Sequence, residues 1–192
     1  MVPVSLLDRA DVATLRAVSA ERAGPFGTIT TCLVEGGAMA FDVDDPVWTD
    51  RDRLIAGDTE AADQFREALG PWGWWWGRPG EALAQAVGAA NAGHLEGDAF
   101  RAWCILGPDA VTDALVAEAA GAAVATNAPV TVAVTPYASA QQLRRIFTAA
   151  GWQTDLVPAT DPVELMGALD HALHPAAEPV AVLAHTEPRT RR

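Results

Sequence analysis

The stretch Leu106-Gly107-Pro108-Asp109-Ala110-Val111-Thr112-Asp113, followed by Glu118-Ala119-Ala120, has the residue types and spacing to hold a phosphorylated cofactor. It reads as a buried strand that turns through a glycine into a helix. A helix start at such a junction offers free backbone N–H groups and a positive dipole end to an anion. Pro108 brings neither a carboxylate nor an N–H to this turn.

Other candidates are more scattered. Trp72, Trp74, Trp75 and Trp76, interleaved with glycine, could form an aromatic cage, a lid or an exposed patch for a partner, or could fill interior space. So many indoles in one short segment are costly if left in water. His171 and His174, with Glu164 and Asp170 nearby, could ligate a metal, but histidines near a helix C-terminus equally suit the helix dipole. His94, beside Gly93, reads as another helix-end histidine, and His185 closes an apolar strand. Ser19 and Ser139 lack the glycine context of a nucleophile elbow, and neither Cys32 nor Cys104 sits in a reactive-looking basic environment. There is no Gly-x-Gly-x-x-Gly after a strand and no Walker-type loop. Self-contained catalysis therefore finds no support in the residues.

The elements that must position these groups alternate cleanly in the second half. Strands are predicted at 100–107, 130–135, 154–157 and 180–185, with helices at 109–124, 139–150 and 161–173. Such alternation implies βαβ crossovers and a mostly parallel sheet with helices on both faces, an α/β fold. Before it, a helix at 81–92 is rich in small residues and suited to close packing. The first third is irregular: helical spacing at 5–20, a turn at 23–27, an apolar helical segment at 29–39 and a helix at 58–69. Residues 72–77 read as a loop. With no internal repeat and no dividing linker, residues 1–192 are expected to form a single domain with a flexible tail at about 187–192.

Composition narrows the classes. The 192 residues are 50% hydrophobic, enough for one well-buried core. Net charge is −12, and all 13 basic side chains are arginine, with Arg144-Arg145 and the tail holding the only basic clusters. Nucleic-acid binding, which needs a concentrated basic face, is not expected. Nor is membrane insertion, because no apolar run approaches a span. Two distant cysteines make no disulfide framework, and the N-terminus lacks a signal-peptide pattern. A soluble cytoplasmic protein is the expectation.

Taken together, several segments resemble the N-terminal, diphosphate-binding domain of transketolases. The frame at Gly107 is similar to the family's strand, Gly-Asp-Gly turn and Glu-Ala-Ala helix. Pro46-Val47-Trp48-Thr49-Asp50-Arg51-Asp52-Arg53 looks like Pro-x-Trp-x-x-Arg-Asp-Arg. Gly77-Arg78-Pro79-Gly80-Glu81-Ala82-Leu83-Ala84-Gln85-Ala86-Val87-Gly88 follows Gly-Pro-Leu-Gly-Gln-Gly-Ile-Ala-Asn-Ala-Val-Gly. Gly151-Trp152, Val157, Asp161 and the strand from Pro179 to Thr186 fall where the family has its Gly-Trp strand, its aspartate and its last strand. The resemblance implies a thiamine diphosphate-binding-like fold. It places the diphosphate side near Gly77, Arg78, Pro79, Gly80, Gly107, Pro108 and Asp109, with magnesium as the bridging ion.

The departures are as orderly as the matches. Pro108 stands where the family's magnesium-holding aspartate is, Pro25 and Asp58 replace family histidines, and Thr135-Pro136-Tyr137 offers no asparagine for the metal. Magnesium is held by one or two carboxylates plus phosphate oxygens. Asp109 is the one displaced candidate ligand, although a proline at the first helical position with aspartate in the first turn is also ordinary helix-start chemistry. Thiamine diphosphate and magnesium are thus implied by the family but not expected to be bound by this chain alone. The resemblance ends near Arg192, before the pyrimidine-binding domain that carries the catalytic glutamate. It implies a transketolase-like subunit that pairs with a separate polypeptide resembling the pyrimidine-binding and C-terminal domains, with Trp72, Trp74, Trp75 and Trp76 as candidate interface residues. A non-catalytic scaffold and a repurposed small-anion module, with Arg78 in its pocket, are the alternatives.

Overall fold

The computed structural model describes residues 53–56, 73–75, 78–96, 101–134, 140–173 and 178–185, together with 13, 16 and 17. Strands β1 (Arg53–Ala56) and β2 (Gly73–Trp75) precede helix α1 (Pro79–Glu96). Then come β3 (Ala102–Leu106), a 3-10 turn (Pro108–Val111), α2 (Ala114–Thr126), β4 (Val130–Val134) and α3 (Ala140–Ala150). Strand β5 (Gln153–Pro158), α4 (Pro162–Leu173) and β6 (Val180–His185) complete the fold. The six strands among the described residues form one sheet in the order β2-β1-β3-β4-β6-β5, and every neighbouring pair is parallel.

The α/β architecture expected from the alternation is present. Strand β3 is buried along its whole length, as is β6 up to His185, which is why both read as continuous apolar runs. The edge strand β5 is mostly half-buried and carries Gln153, Thr154 and Asp155. Trp103, Phe147, Leu83 and Ile105 are the largest fully buried side chains of the core. Cys104 is fully buried within β3, and burial pushes its thiol well above the ordinary range, so it packs rather than reacts.

Two sequence expectations are corrected. Residues 72–77 are not simply a loop: Gly73–Trp75 form β2, paired with β1 through Ile55↔Trp74 and Ala56↔Trp75. Aromatic residues suit strands, but a strand of three residues is too short to leave a periodic signal. Strand β1, four residues that begin at the last arginine of the Arg-Asp-Arg segment, is hidden for the same reason. The single helix expected over 109–124 is instead a 3-10 turn and a separate α2. The residues 13, 16 and 17 are helical, in keeping with the spacing at 5–20. The turn at 23–27, the segments 29–39 and 58–69 and the tail at 187–192 lie outside the described residues.

Helix ends are set by local chemistry. Helix α3 closes on Gly151, whose φ of +97° favours glycine, with Gly151 N bonded to Thr148 O and Trp152 N to Phe147 O. The apolar contact that accompanies this closure is Phe147 against Trp152, with ring centroids 4.8 Å apart. Trp152 then donates from Nε1 to Ala120 O of α2 at 2.9 Å, tying the α3–β5 corner to the neighbouring helix. Helix α2 ends the same way on left-handed Asn127, with Ala128 N reaching Ala123 O. Asp161 starts α4 by accepting from Val163 N and Glu164 N.

Candidate functional site

From β1 the chain moves outward to β2, whereas from β3 onward it moves the other way through β4 to β6 and β5. The reversal lies between β1 and β3, whose carboxyl ends pair through Ala56↔Ile105. In open parallel sheets, ligand crevices lie outside the carboxyl ends of strands at such a switch point. The Gly107 turn leaves β3 at this place, so the sheet order and the sequence point to the same location.

The turn is built in two steps. Gly107 is extended (φ −87°, ψ −173°) and Pro108 begins the 3-10 turn, whose bonds run from Ala110 N to Gly107 O and from Thr112 N to Asp109 O. Asp109 is exposed, and its carbonyl also accepts from Thr112 Oγ1 at 3.0 Å. Asp113 then swings to extended geometry and caps α2, its side chain accepting from Leu115 N at 3.0 Å. That local bond competes with continuing the first turn, and it divides the expected helix.

The other Asp113 oxygen reaches a distant segment. Oδ2 accepts from Gly80 N at 2.9 Å, a bond between residues 33 apart in sequence. Pro79 is the first residue of α1, and Arg78 O accepts from Ala82 N, so Gly80 N belongs to the free donors of the first turn. The two helix starts touch. A Cβ at Gly80 would stand 2.3 Å from Leu115 Cβ and 2.9 Å from Asp113 Oδ2. Glycine is required here by close approach, with one carboxylate joining the N-termini of α1 and α2.

Among the candidate residues, the structure brings Pro79 and Gly80 against α2 and places Gly107, Pro108 and Asp109 on the adjoining turn. Arg78 is exposed at the start of α1. Gly77, Trp72 and Trp76 lie outside the described residues, while Trp74 and Trp75 belong to the edge strand β2. Asp113 was absent from the candidates. Its local signal was a capping residue ahead of the run Ala114-Leu115-Val116; nothing local pointed to Gly80.

The remaining candidates fall elsewhere. His171 Nδ1 lies 2.9 Å from Asp155 Oδ2 in an exposed pair, and His174 lies outside the described residues. Among the described residues no group of three His, Cys, Asp or Glu could hold a metal. His94 sits exposed in the last turn of α1, and His185 ends β6. A surface depression lined by Gln141, Arg144, Arg145, Thr148 and Ala149 runs along α3 alone. No helix among the described residues is long and apolar enough to cross a membrane.

No family model matches the sequence, and neither does any curated protein. Solved structures do match. Transketolase from Leishmania mexicana superposes with a TM-score of 0.64 at 19% identity, over 96% of this chain and 37% of that one. Transketolase from Campylobacter jejuni gives 0.64 at 18% identity, over 94% and 37%. A protein isolated from Mycobacterium smegmatis and assigned as a thiamin diphosphate-dependent enzyme gives 0.57 at 19% identity, over 73% and 30%. The chain thus spans about a third of the length of the structures it matches. At these identities the likeness concerns the fold, and the fold of this chain is that of a transketolase-like domain.

Proposed function

We propose that this chain is the diphosphate-side subunit of a two-component, thiamine diphosphate-type assembly. Ketol transfer, or related carbon–carbon bond chemistry, takes place in that complex with a separate polypeptide resembling the pyrimidine-binding and C-terminal domains of transketolase. The observation that supports the thiamine diphosphate-type reading is the match of nearly the whole chain to the fold of transketolases.

A feature of α2 supports it. This helix is Ala-Leu-Val-Ala-Glu-Ala-Ala-Gly-Ala-Ala-Val-Ala-Thr, with Glu118 its single charged residue. It buries Val116, Ala119, Ala120 and Ala123, yet Leu115 and Val124 remain 42% and 37% exposed beside exposed Ala117, Gly121, Ala122 and Ala125. A helix apolar all round normally has protein on every side. A second protein subunit would supply the missing side.

The metal–diphosphate half is degenerate in this reading. Pro108 supplies no carboxylate to the turn, and both Asp113 oxygens are engaged by backbone N–H groups. These residues do not fit a magnesium diphosphate, so no reaction step is assigned to them. The same observation favours a second reading, a non-catalytic scaffold that shapes an active partner. Trp74 and Trp75 on the edge strand, with Trp72 and Trp76, are assigned to the partner face in either case.

Two measurements test the proposal. Purification from the native cell is expected to recover a complex with a polypeptide whose sequence resembles the pyrimidine-binding domain. Recovery as a stable lone monomer would overturn the assembly. Calorimetric titration of the isolated chain with thiamine diphosphate and magnesium is expected to give no heat of binding, and tight metal-dependent binding would overturn the degeneracy.

A further inference from the structure

We infer that Asp113 is the built-in anion of this site, a carboxylate occupying the place where two helix starts would otherwise receive a phosphate group. The inference rests on reading this edge as the diphosphate side of the fold. One Asp113 oxygen takes Leu115 N of α2 and the other takes Gly80 N of α1, at 3.0 and 2.9 Å. Each helix N-terminus carries roughly half a positive charge, so two of them are balanced by about one negative charge. The carboxylate supplies that charge from within the chain.

The geometry leaves little for an external anion. The Gly80 and Leu115 donors are already used, and Val116 N bonds to Asp113 O at 3.1 Å. The neighbouring Pro108 has no N–H to offer. The contact of α1 with α2 is too tight even for a Cβ at Gly80. A diphosphate arriving here would face a carboxylate of its own sign and would have to displace it from both helices. The junction is therefore organised without a ligand, and its geometry is insensitive to free phosphate.

Thermal melting of the isolated chain tests this with inorganic pyrophosphate and formate as probes, at matched ionic strength. The wild-type Tm is expected to be unmoved by pyrophosphate, with or without magnesium. Asp113→Ala is expected to melt about 4–8 °C lower, and formate or pyrophosphate should restore part of that loss in a saturable way. Should Asp113→Ala not fold, Asp113→Asn serves, since it keeps one acceptor and removes the charge. Saturable stabilisation of the wild type by pyrophosphate would overturn the inference. So would a variant as stable as wild type, or a loss that neither anion restores, which would reduce Asp113 to an ordinary helix cap. The melts involve no partner, so a failed co-purification and a failed anion rescue are separately readable.

Discussion

Helices α2 and α3 are neighbours on one sheet and meet solvent in opposite ways. Helix α3 buries Ala140, Leu143 and Phe147 and turns Gln141, Gln142, Arg144, Arg145 and Thr148 outward. Its apolar stripe is narrow and its outer face is charged, the pattern of a finished protein surface. Helix α2 turns out alanine, glycine, leucine and valine, with one glutamate. Its attachment also differs, for it is tied by polar side-chain bonds to distant segments. Asp113 joins its start to Gly80, Trp152 Nε1 holds Ala120 O, and Asn91 Nδ2 reaches Thr126 Oγ1 at 3.0 Å. A helix with few distinctive side chains cannot define its position by interlocking them, so polar bonds and glycine contacts fix it instead. Helix α3 shows solvent a charged face, whereas α2 leaves apolar residues exposed, the face that the proposed partner subunit would cover.

Three substitutions sharpen or break that contrast. The largest effect is expected for Gly80→Ala. Helix propensity alone would favour alanine by up to about 1 kcal/mol, but the new Cβ collides with Leu115 Cβ. A net loss of about 1–3 kcal/mol is expected by urea unfolding of the isolated chain. A gain in stability would show that the two helix starts can separate freely. Next is Trp152→Phe, which keeps the packing on Phe147 but removes the bond to Ala120 O. It is expected to cost about 1–2 kcal/mol in the same assay. An unchanged midpoint would mean that this bond does not hold α2.

The smallest effect has the opposite sign. A Cβ at Gly121 meets nothing within 4 Å, so Gly121→Ala is expected to stabilise the isolated chain by about 0.5–1 kcal/mol. The same substitution is expected to lower recovery of the partner subunit, because it thickens a face read as an interface. Stabilisation with unchanged partner recovery would place the partner elsewhere.

The legible parts of the fold were those with local cause. Strands β3, β4 and β6 announced themselves as apolar or β-branched runs because a parallel sheet buries both faces. Helix α3 was visible as a helical segment over 139–150. Strands β1 and β2 were hidden by their shortness, and the tryptophan segment read as loop although Trp74 and Trp75 pair with β1. At the site, Gly80 and the Gly107 turn stood out by residue type, while Asp113 passed for a helix-interior residue.

From the sequence alone came the alternation of strands and helices, the missing carboxylate at Pro108 and the crowding of small residues in α1 and α2. Each depends on residue type and short-range periodicity, which a chain carries with it before it folds. Tertiary structure alone decided that the helix starts meet at the reversal between β1 and β3 and share one carboxylate. That bond joins residues 33 apart, and its existence depends on the order in which the strands assemble. No local pattern encodes strand order, because it follows from how the helices find room on the faces of the sheet.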